Sequence, residues 1–377
     1  MTSTPTSAVD AVLRADLRGR TAYGAPQLDV AAALNTNENS YPVPDVVVAA
    51  MLKDLAETLP TLNRYPDRDF TALRGALAAG LSRSGTLIDP AQVWAGNGSN
   101  EVLLHLLQAF GGPGRVAIGF TPSYSMHANI AATSATAWVD GKRSSDPATL
   151  FTLDAESVAT QLEAADPHLV FLCSPNNPTG TALGLDVVEA AYESAPRAVV
   201  VVDEAYAEFA RPGTRSALTL LAGRPRLVVT RTMSKAFALA GGRLGYLVAD
   251  PALANALRLV RLPYHLSAQT QAIALAALRH TDLMLASVGA IMAQRDRLVR
   301  ELAHLGFDPV PSDANFVLFG GLADAADTWS VLLAGGVLVR DVGIPHYLRV
   351  TAGTPAETDA FLEAMGALDP RHRKAGS

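Results

Sequence analysis

Residues 198–206 read Ala198-Val199-Val200-Val201-Val202-Asp203-Glu204-Ala205-Tyr206, five apolar residues with no polar face, ended by a carboxylate. A strand on a half-solvated sheet alternates apolar and polar positions. A run that is apolar on both faces belongs instead to a strand covered on both sides, as parallel strands flanked by helices are. Four further short runs, at 115–119, 169–173, 227–230 and 244–248, read the same way. Helical spacings lie between or before them: Phe70, Leu73, Leu77 and Leu81, then Val102, Leu103, Leu106, Leu107 and Phe110. Strands alternating with helices predict an α/β core with a largely parallel sheet covered by helices.

The pattern changes after about residue 280. A long helical pattern runs over 283–305, followed by strand-like runs at 316–319, 337–340 and 348–351, with helical stretches near 323–333 and 356–365. This mixture predicts a second, smaller α+β domain, which the length of 377 residues accommodates. Apolar residues make up 49% of the chain and charged residues 18%, below the roughly 25% of an average soluble protein, which excludes a disordered chain. The net charge of −6, without basic blocks, argues against a nucleic-acid or anionic-membrane partner. Cys173 is the only cysteine, so neither an intramolecular disulfide nor a cysteine-based metal site exists. The eight histidines are scattered without paired metal-ligand spacing, and no metal is expected. The first ten residues lack the cationic start and apolar core of a signal peptide, and no apolar run approaches the ~20 residues of a membrane helix. A cytoplasmic protein, without membrane attachment, is expected.

Ligands of parallel α/β sheets bind beyond the carboxyl ends of the strands, so the segments after the strands carry the chemistry. Four stand out: Gly96-Asn97-Gly98-Ser99-Asn100-Glu101; Ser174-Pro175-Asn176-Asn177-Pro178-Thr179-Gly180; Asp203-Glu204-Ala205-Tyr206; and Ser234-Lys235 followed by Arg243. Taken alone, each is open to a plain reading. The glycine segment suits a helix N-cap as well as a phosphate cradle, and it is neither a dinucleotide fingerprint nor a P-loop. Asp203 suits a cap or an ion pair as well as a ligand partner. Lys235 and Arg243 are the only charged side chains in 232–243, where Lys235 is either an exposed loop lysine or an activated amine. His127 and His265 read equally as site-lining residues or as surface or supporting histidines, and Cys173 reads as a small buried hydrophobe.

The order of these four segments resembles the fold-type-I pyridoxal-phosphate aminotransferases. Finer matches resemble the histidinol-phosphate aminotransferases of the actinobacterial branch: Arg14-Ala15-Asp16-Leu17-Arg18-Gly19, Tyr23-Gly24-Ala25-Pro26, Asn35-Thr36-Asn37-Glu38-Asn39, Asn63-Arg64-Tyr65-Pro66-Asp67, Ser123-Tyr124-Ser125-Met126-His127, the stretch 261–267 and the stretch 312–316. The similarity spans about residues 11–368. It implies a fold-type-I transferase: a large domain (41–280) with a mostly parallel seven-stranded sheet, a small α+β domain (281–377), and an N-terminal segment (1–40) packing with the small domain.

The resemblance also assigns roles. Lys235 matches the lysine that bonds pyridoxal 5'-phosphate and then moves the substrate's proton. Asp203 matches the partner of the ring nitrogen, Tyr206 and Asn177 the donors to the ring oxygen, and Tyr124 the aromatic residue stacked on the ring. Ser99, Asn100, Thr232, Ser234 and Arg243 match the phosphate-holding positions. Arg349 matches the arginine for the substrate α-carboxylate and Arg340 the arginine for the distal anion, a phosphate in histidinol phosphate or the γ-carboxylate of glutamate. Asn37 and Asn177 complete the substrate contacts, with Tyr23, and Tyr65 reaches over from the other subunit of a homodimer to the cofactor. The implied activity is amino transfer between histidinol phosphate and 2-oxoglutarate, in histidine biosynthesis. An aromatic (phenylalanine) aminotransferase uses the same scaffold, a decarboxylase of a phosphorylated amino acid changes the reaction type, and a non-catalytic pyridoxal-phosphate-binding regulator would need a DNA-binding segment for which this chain has no room. The predicted cis bond falls at Asn177-Pro178.

Overall fold

The computed structural model describes residues 8–19, 24–83 and 85–374. Its central sheet has seven strands in the spatial order Val93–Asn97, Leu244–Ala249, Leu227–Thr232, Val199–Asp203, Leu169–Cys173, Val116–Thr121 and Ala137–Lys142. Every neighbour from Leu227–Thr232 to Ala137–Lys142 pairs in parallel, and only Leu244–Ala249 runs antiparallel to its two neighbours. The reversal follows from the connection. Residues 233–243 contain no crossover helix, and a parallel return needs one. The five predicted runs all became strands, with ends shifted by at most two residues. Val93–Asn97 and Ala137–Lys142 complete the sheet; the latter is a half-exposed edge strand carrying Asp140 and Lys142, so its hydropathy gives little signal.

The C-terminal third builds a four-stranded antiparallel sheet in the order Arg340–Asp341, Leu348–Thr351, Phe316–Gly320 and Asp308–Pro309. Two sequence expectations change here. The run at 337–340 splits: Val337–Leu338 pairs in parallel with Ala32–Ala33, while Arg340–Asp341 pairs with Leu348–Thr351. The long helix over 283–305 is broken into Thr281–Met284 and Val288–His304. The break hands the chain from one apolar core to another, since Met284 lies in the cluster around the large sheet and Ile291 in the cluster around the small one. That second cluster also takes in Ala32 and Leu34, and Thr351 N donates to Leu34 O, so residues 32–34 are built into the small sheet's side of the molecule. Among the described residues no single helix is long and apolar enough to cross a membrane.

Candidate active site

Strand register brings Cys173, Asp203 and Thr230 side by side. Beyond this edge of the sheet lies a cavity of about 770 Å³. Of the fifteen predicted site residues, thirteen line it: Asn37, Ser99, Asn100, Tyr124, Asn177, Asp203, Tyr206, Thr232, Ser234, Lys235, Arg243, Arg340 and Arg349. Tyr23 lies outside the described residues. Tyr65 is elsewhere on this chain, 79% exposed and stacked on Tyr264 at 4.3 Å, beside a second cavity of about 350 Å³.

The helix Ser99–Phe110 opens at the cavity with Gly98 at its N-cap, so no side chain caps its first amides. Gly98 has φ +83°, and a Cβ there would collide with the Arg243 guanidinium. A Cβ at Gly245 would collide with the backbone of Gly98 and Ser99. These two glycines therefore allow the strand Leu244–Ala249 and Arg243 to close against the turn. The Arg243 guanidinium donates to Ala240 O at 3.0 Å and Asn97 O at 3.4 Å, and Thr232 Oγ1 donates to Ser234 Oγ at 3.0 Å. First-turn amides, two hydroxyls and a guanidinium form a donor set suited to a phosphate.

Asp203 is 2% exposed, and neither carboxylate oxygen is left bare. Oδ2 lies 3.0 Å from His127 Nε2, and Oδ1 accepts from Thr230 Oγ1 at 3.1 Å. His127 is itself buried, its ring stacked 4.9 Å from Phe171 and edge-on to Tyr124 at 5.4 Å. Its supporting role was among the readings left open from sequence; it sits three residues after Tyr124, whose carbonyl accepts from His127 N at 3.1 Å. Glu204 faces away from the cavity into a buried ionic cluster with Arg231, Glu208 and Ser216. The alternation of Asp203 and Glu204 across the strand end thus separates a site carboxylate from a structural one.

Lys235 donates from Nζ to Thr36 O at 2.8 Å. Its pKa is drawn down to about 8, first by withdrawal from solvent and then by the Arg349 and Arg243 charges, against which Glu38 acts in the opposite direction. Sequence reasoning did not single out Thr36 or Glu38 individually, although both fall inside a motif that was quoted. Tyr206 OH accepts from Asn37 Nδ2 at 3.0 Å and from Asn177 Nδ2 at 3.3 Å, which leaves its own proton to donate. Burial, first, raises the Tyr206 pKa, so the phenol stays protonated. Asn37 is 1% exposed and committed to protein partners: besides Tyr206, its backbone N donates to Thr351 Oγ1 and its Oδ1 accepts from the same hydroxyl. In this structure it is a tie between the N-terminal segment, the large sheet and the small sheet.

The two arginines are placed by strand pairing, because Arg340 and Arg349 are Cα partners in the antiparallel sheet. Arg349 is held by Asn177 Oδ1 at 2.5 Å and Asn35 O at 2.6 Å, with its guanidinium 5.1 Å from the Phe316 ring. The peptide bond Asn177-Pro178 is cis, as are Thr121-Pro122 and Ser174-Pro175. Among the described residues no cluster of side chains could hold a metal ion.

A model of the family "Aminotransferase class I and II" matches residues 31–365. The histidinol-phosphate aminotransferase of Paenarthrobacter aurescens is 58% identical over 94% of this chain and 94% of its own. That of Frankia casuarinae is 59% identical over 94% of this chain and 89% of its own. The crystal structure of the Sinorhizobium meliloti histidinol-phosphate aminotransferase, in complex with pyridoxal-5'-phosphate, superposes with a TM-score of 0.78 at 25% identity, covering 89% of this chain and 90% of that one. A cavity that collects a depressed lysine, a buried carboxylate and paired arginines at the edge of such a sheet accords with these matches: the chain belongs to the class I and II aminotransferases and, among them, to the histidinol-phosphate aminotransferases.

Proposed function

We propose that this chain transfers an amino group between L-histidinol phosphate and 2-oxoglutarate, with pyridoxal 5'-phosphate held in the 770 Å³ cavity and Lys235 as its lysine. The observation that carries the reading is the position of Lys235. The chain has four lysines, Lys53, Lys142, Lys235 and Lys374. The other three are exposed, while Lys235 alone lines the cavity, its amine depressed toward neutrality. The uncapped first turn at Ser99, the clearance at Gly98 and Gly245 and the hydroxyls of Thr232 and Ser234 fit the cofactor's phosphate.

Pyridoxal phosphate, when bound, supplies an aldehyde that takes up an amine and a ring that draws electrons from the neighbouring carbon. Asp203, fixed by His127 and Thr230, would hold a proton at the ring nitrogen. Tyr206 would donate its remaining proton to the ring oxygen, with Asn37 and Asn177 fixing the direction of its hydroxyl. Tyr124 would stack on the ring, with its hydroxyl tied to Asn100 Oδ1 at 3.2 Å. Lys235 Nζ would take the proton from the substrate's Cα and give it to the cofactor's aldehyde carbon on the other side of the transferred nitrogen, which requires the neutral amine that its depressed pKa provides. Arg349 and Arg340 would neutralise the substrate anions. Both substrates use one cavity in turn, so Arg340 accommodates a phosphate in one half-reaction and a γ-carboxylate in the other.

The same proposal includes a homodimer and the division at residues 40 and 280. Leu59, Leu62, Tyr65, Leu259 and Leu262 are 44–87% exposed on the two chain segments that the Tyr65–Tyr264 stack joins, and exposed apolar side chains of this kind suit a second copy. If Tyr65 crosses, mixing Lys235→Ala with Tyr65→Ala subunits rebuilds one intact site per dimer and restores activity that neither variant has alone. The substrate assignment is tested by steady-state turnover of histidinol phosphate against phenylalanine. A large preference for the phosphorylated substrate, collapsing in Arg340→Ala, is expected; equal rates on both would overturn it, and amino transfer surviving in Lys235→Ala would overturn the lysine's role.

A further inference from the structure

The first turn of helix Ser99–Phe110 contains one acidic side chain, Glu101, to which the proposed chemistry gives no task. Glu101 Oε2 accepts from Asn97 N at 2.6 Å and from Asn97 Nδ2 at 2.9 Å. Asn97 Nδ2 also donates to His265 O at 2.8 Å, and Asn97 O accepts from Arg243 Nη2 at 3.4 Å. His265 is fixed in its turn, with Nε2 2.9 Å from Ala95 O and its ring stacked 5.7 Å from Trp94. Gly96 leaves room for the carboxylate, since a Cβ there would lie 2.9 Å from Glu101 Oε2. In an ordinary capping box the third helical residue reaches back to the N-cap amide while a Ser or Thr caps the first turn. Here the carboxylate reaches one residue further, to Asn97, because Gly98 N is engaged by Gly96 O at 2.8 Å, and no side chain supplies the other half. The half that is missing is an acceptor for the first-turn amides.

We propose that Glu101 is a positioning residue for the cofactor's phosphate: it clamps Asn97, so that Asn97 O steadies Arg243 and the first turn stays open to an anion. The inference rests on reading the cavity as a pyridoxal-phosphate site. A carboxylate in the turn that would hold a dianion opposes it electrostatically, so the turn needs the oxygen of Glu101 as an acceptor and not its charge. Glu101→Gln keeps an acceptor, whereas Glu101→Ala leaves the Asn97 N–H without one.

The test measures dissociation constants of the full-length protein for pyridoxal phosphate and for pyridoxal, which has the same ring and aldehyde without the phosphate. Glu101→Ala is expected to weaken pyridoxal phosphate about 10- to 100-fold and to change pyridoxal less than about twofold. Glu101→Gln is expected to bind pyridoxal phosphate as wild type does, or more tightly. Inorganic phosphate should compete with pyridoxal phosphate in wild type and less well in Glu101→Ala. Equal weakening of both compounds, no change in either, or a Gln variant as weak as the Ala variant would each overturn the proposal. Wild type that binds neither compound would instead overturn the cofactor reading beneath it. Should Glu101→Ala not fold, Asn97→Ala removes the side-chain bonds to Glu101 and His265 while keeping the Asn97 N–H to Glu101, and must show a smaller loss that is again selective for the phosphate-bearing compound; equal weakening of both compounds would overturn the proposal.

Discussion

Lys235 should titrate well below an ordinary lysine amine. An ordinary lysine, with a pKa near 10.4, is about 0.4% neutral at pH 8. Lys235, at about 8, is half neutral there, so an amine-directed reagent should modify it on the order of 100-fold faster per unit of access than an unperturbed amine. Nα-acetyl-lysine added to the same mixture serves as the reference amine. The assay is competitive labelling of cofactor-free protein between pH 6 and 11, read by peptide mass spectrometry. Two variants give opposite signs: Arg349→Met removes a cation and raises the Lys235 midpoint, while Glu38→Gln removes the opposing anion and lowers it. The same depression has a stability consequence. Because the folded pKa lies below the unfolded one, the charged amine costs stability at pH below about 8, and the cost fades as pH rises toward 10.5. Lys235→Met should therefore stabilise the cofactor-free protein at pH 7 more than at pH 10, by no more than about 3 kcal/mol and less where water screens the amine. A Lys235 midpoint near 10.4, or variants that shift it in the same direction, would show that its surroundings do not depress it.

Asp203→Asn keeps the volume and an acceptor for Thr230 while removing the fixed charge beside His127. It should lower kcat about 10- to 150-fold with unchanged near-ultraviolet circular dichroism, and kcat within twofold of wild type would count against the role given to the carboxylate. Arg231→Met leaves the Glu204 and Glu208 carboxylates buried without their cation. It should cost about 3–5 kcal/mol in urea unfolding at pH 7. Burial already raises the Glu208 pKa, so the deficit should shrink as pH falls and the carboxylates take up protons.

The five buried runs of the large sheet were legible because strands covered on both faces leave an unbroken apolar signature, as Val199 to Val202 do. Ala137–Lys142 was not, because an edge strand is half solvated and its residues answer to no single face. Most of the residues that line the cavity were named through the resemblance that the order of such segments as Asp203–Tyr206 and Ser234–Arg243 carries, since each segment alone was open to a plain reading. What escaped were contacts made through the backbone or through a third residue. Nothing in the identity of Thr36 announces that its carbonyl takes the Lys235 amine, or in Asn97 that its side chain joins Glu101 to His265. Such links depend on two distant segments arriving at one place, and the break at residues 285–287 escaped for the same reason.

The most direct test of the account is a single half-reaction. Protein loaded with pyridoxal phosphate is mixed with L-histidinol phosphate, without a keto acid, and the cofactor's absorbance is followed. One equivalent of the corresponding ketone per site is expected, with a spectral change that 2-oxoglutarate reverses, a rate for phenylalanine lower by ~10²-fold or more, and no proton transfer in Lys235→Ala. No spectral change with histidinol phosphate, or an equal rate with phenylalanine, would contradict it.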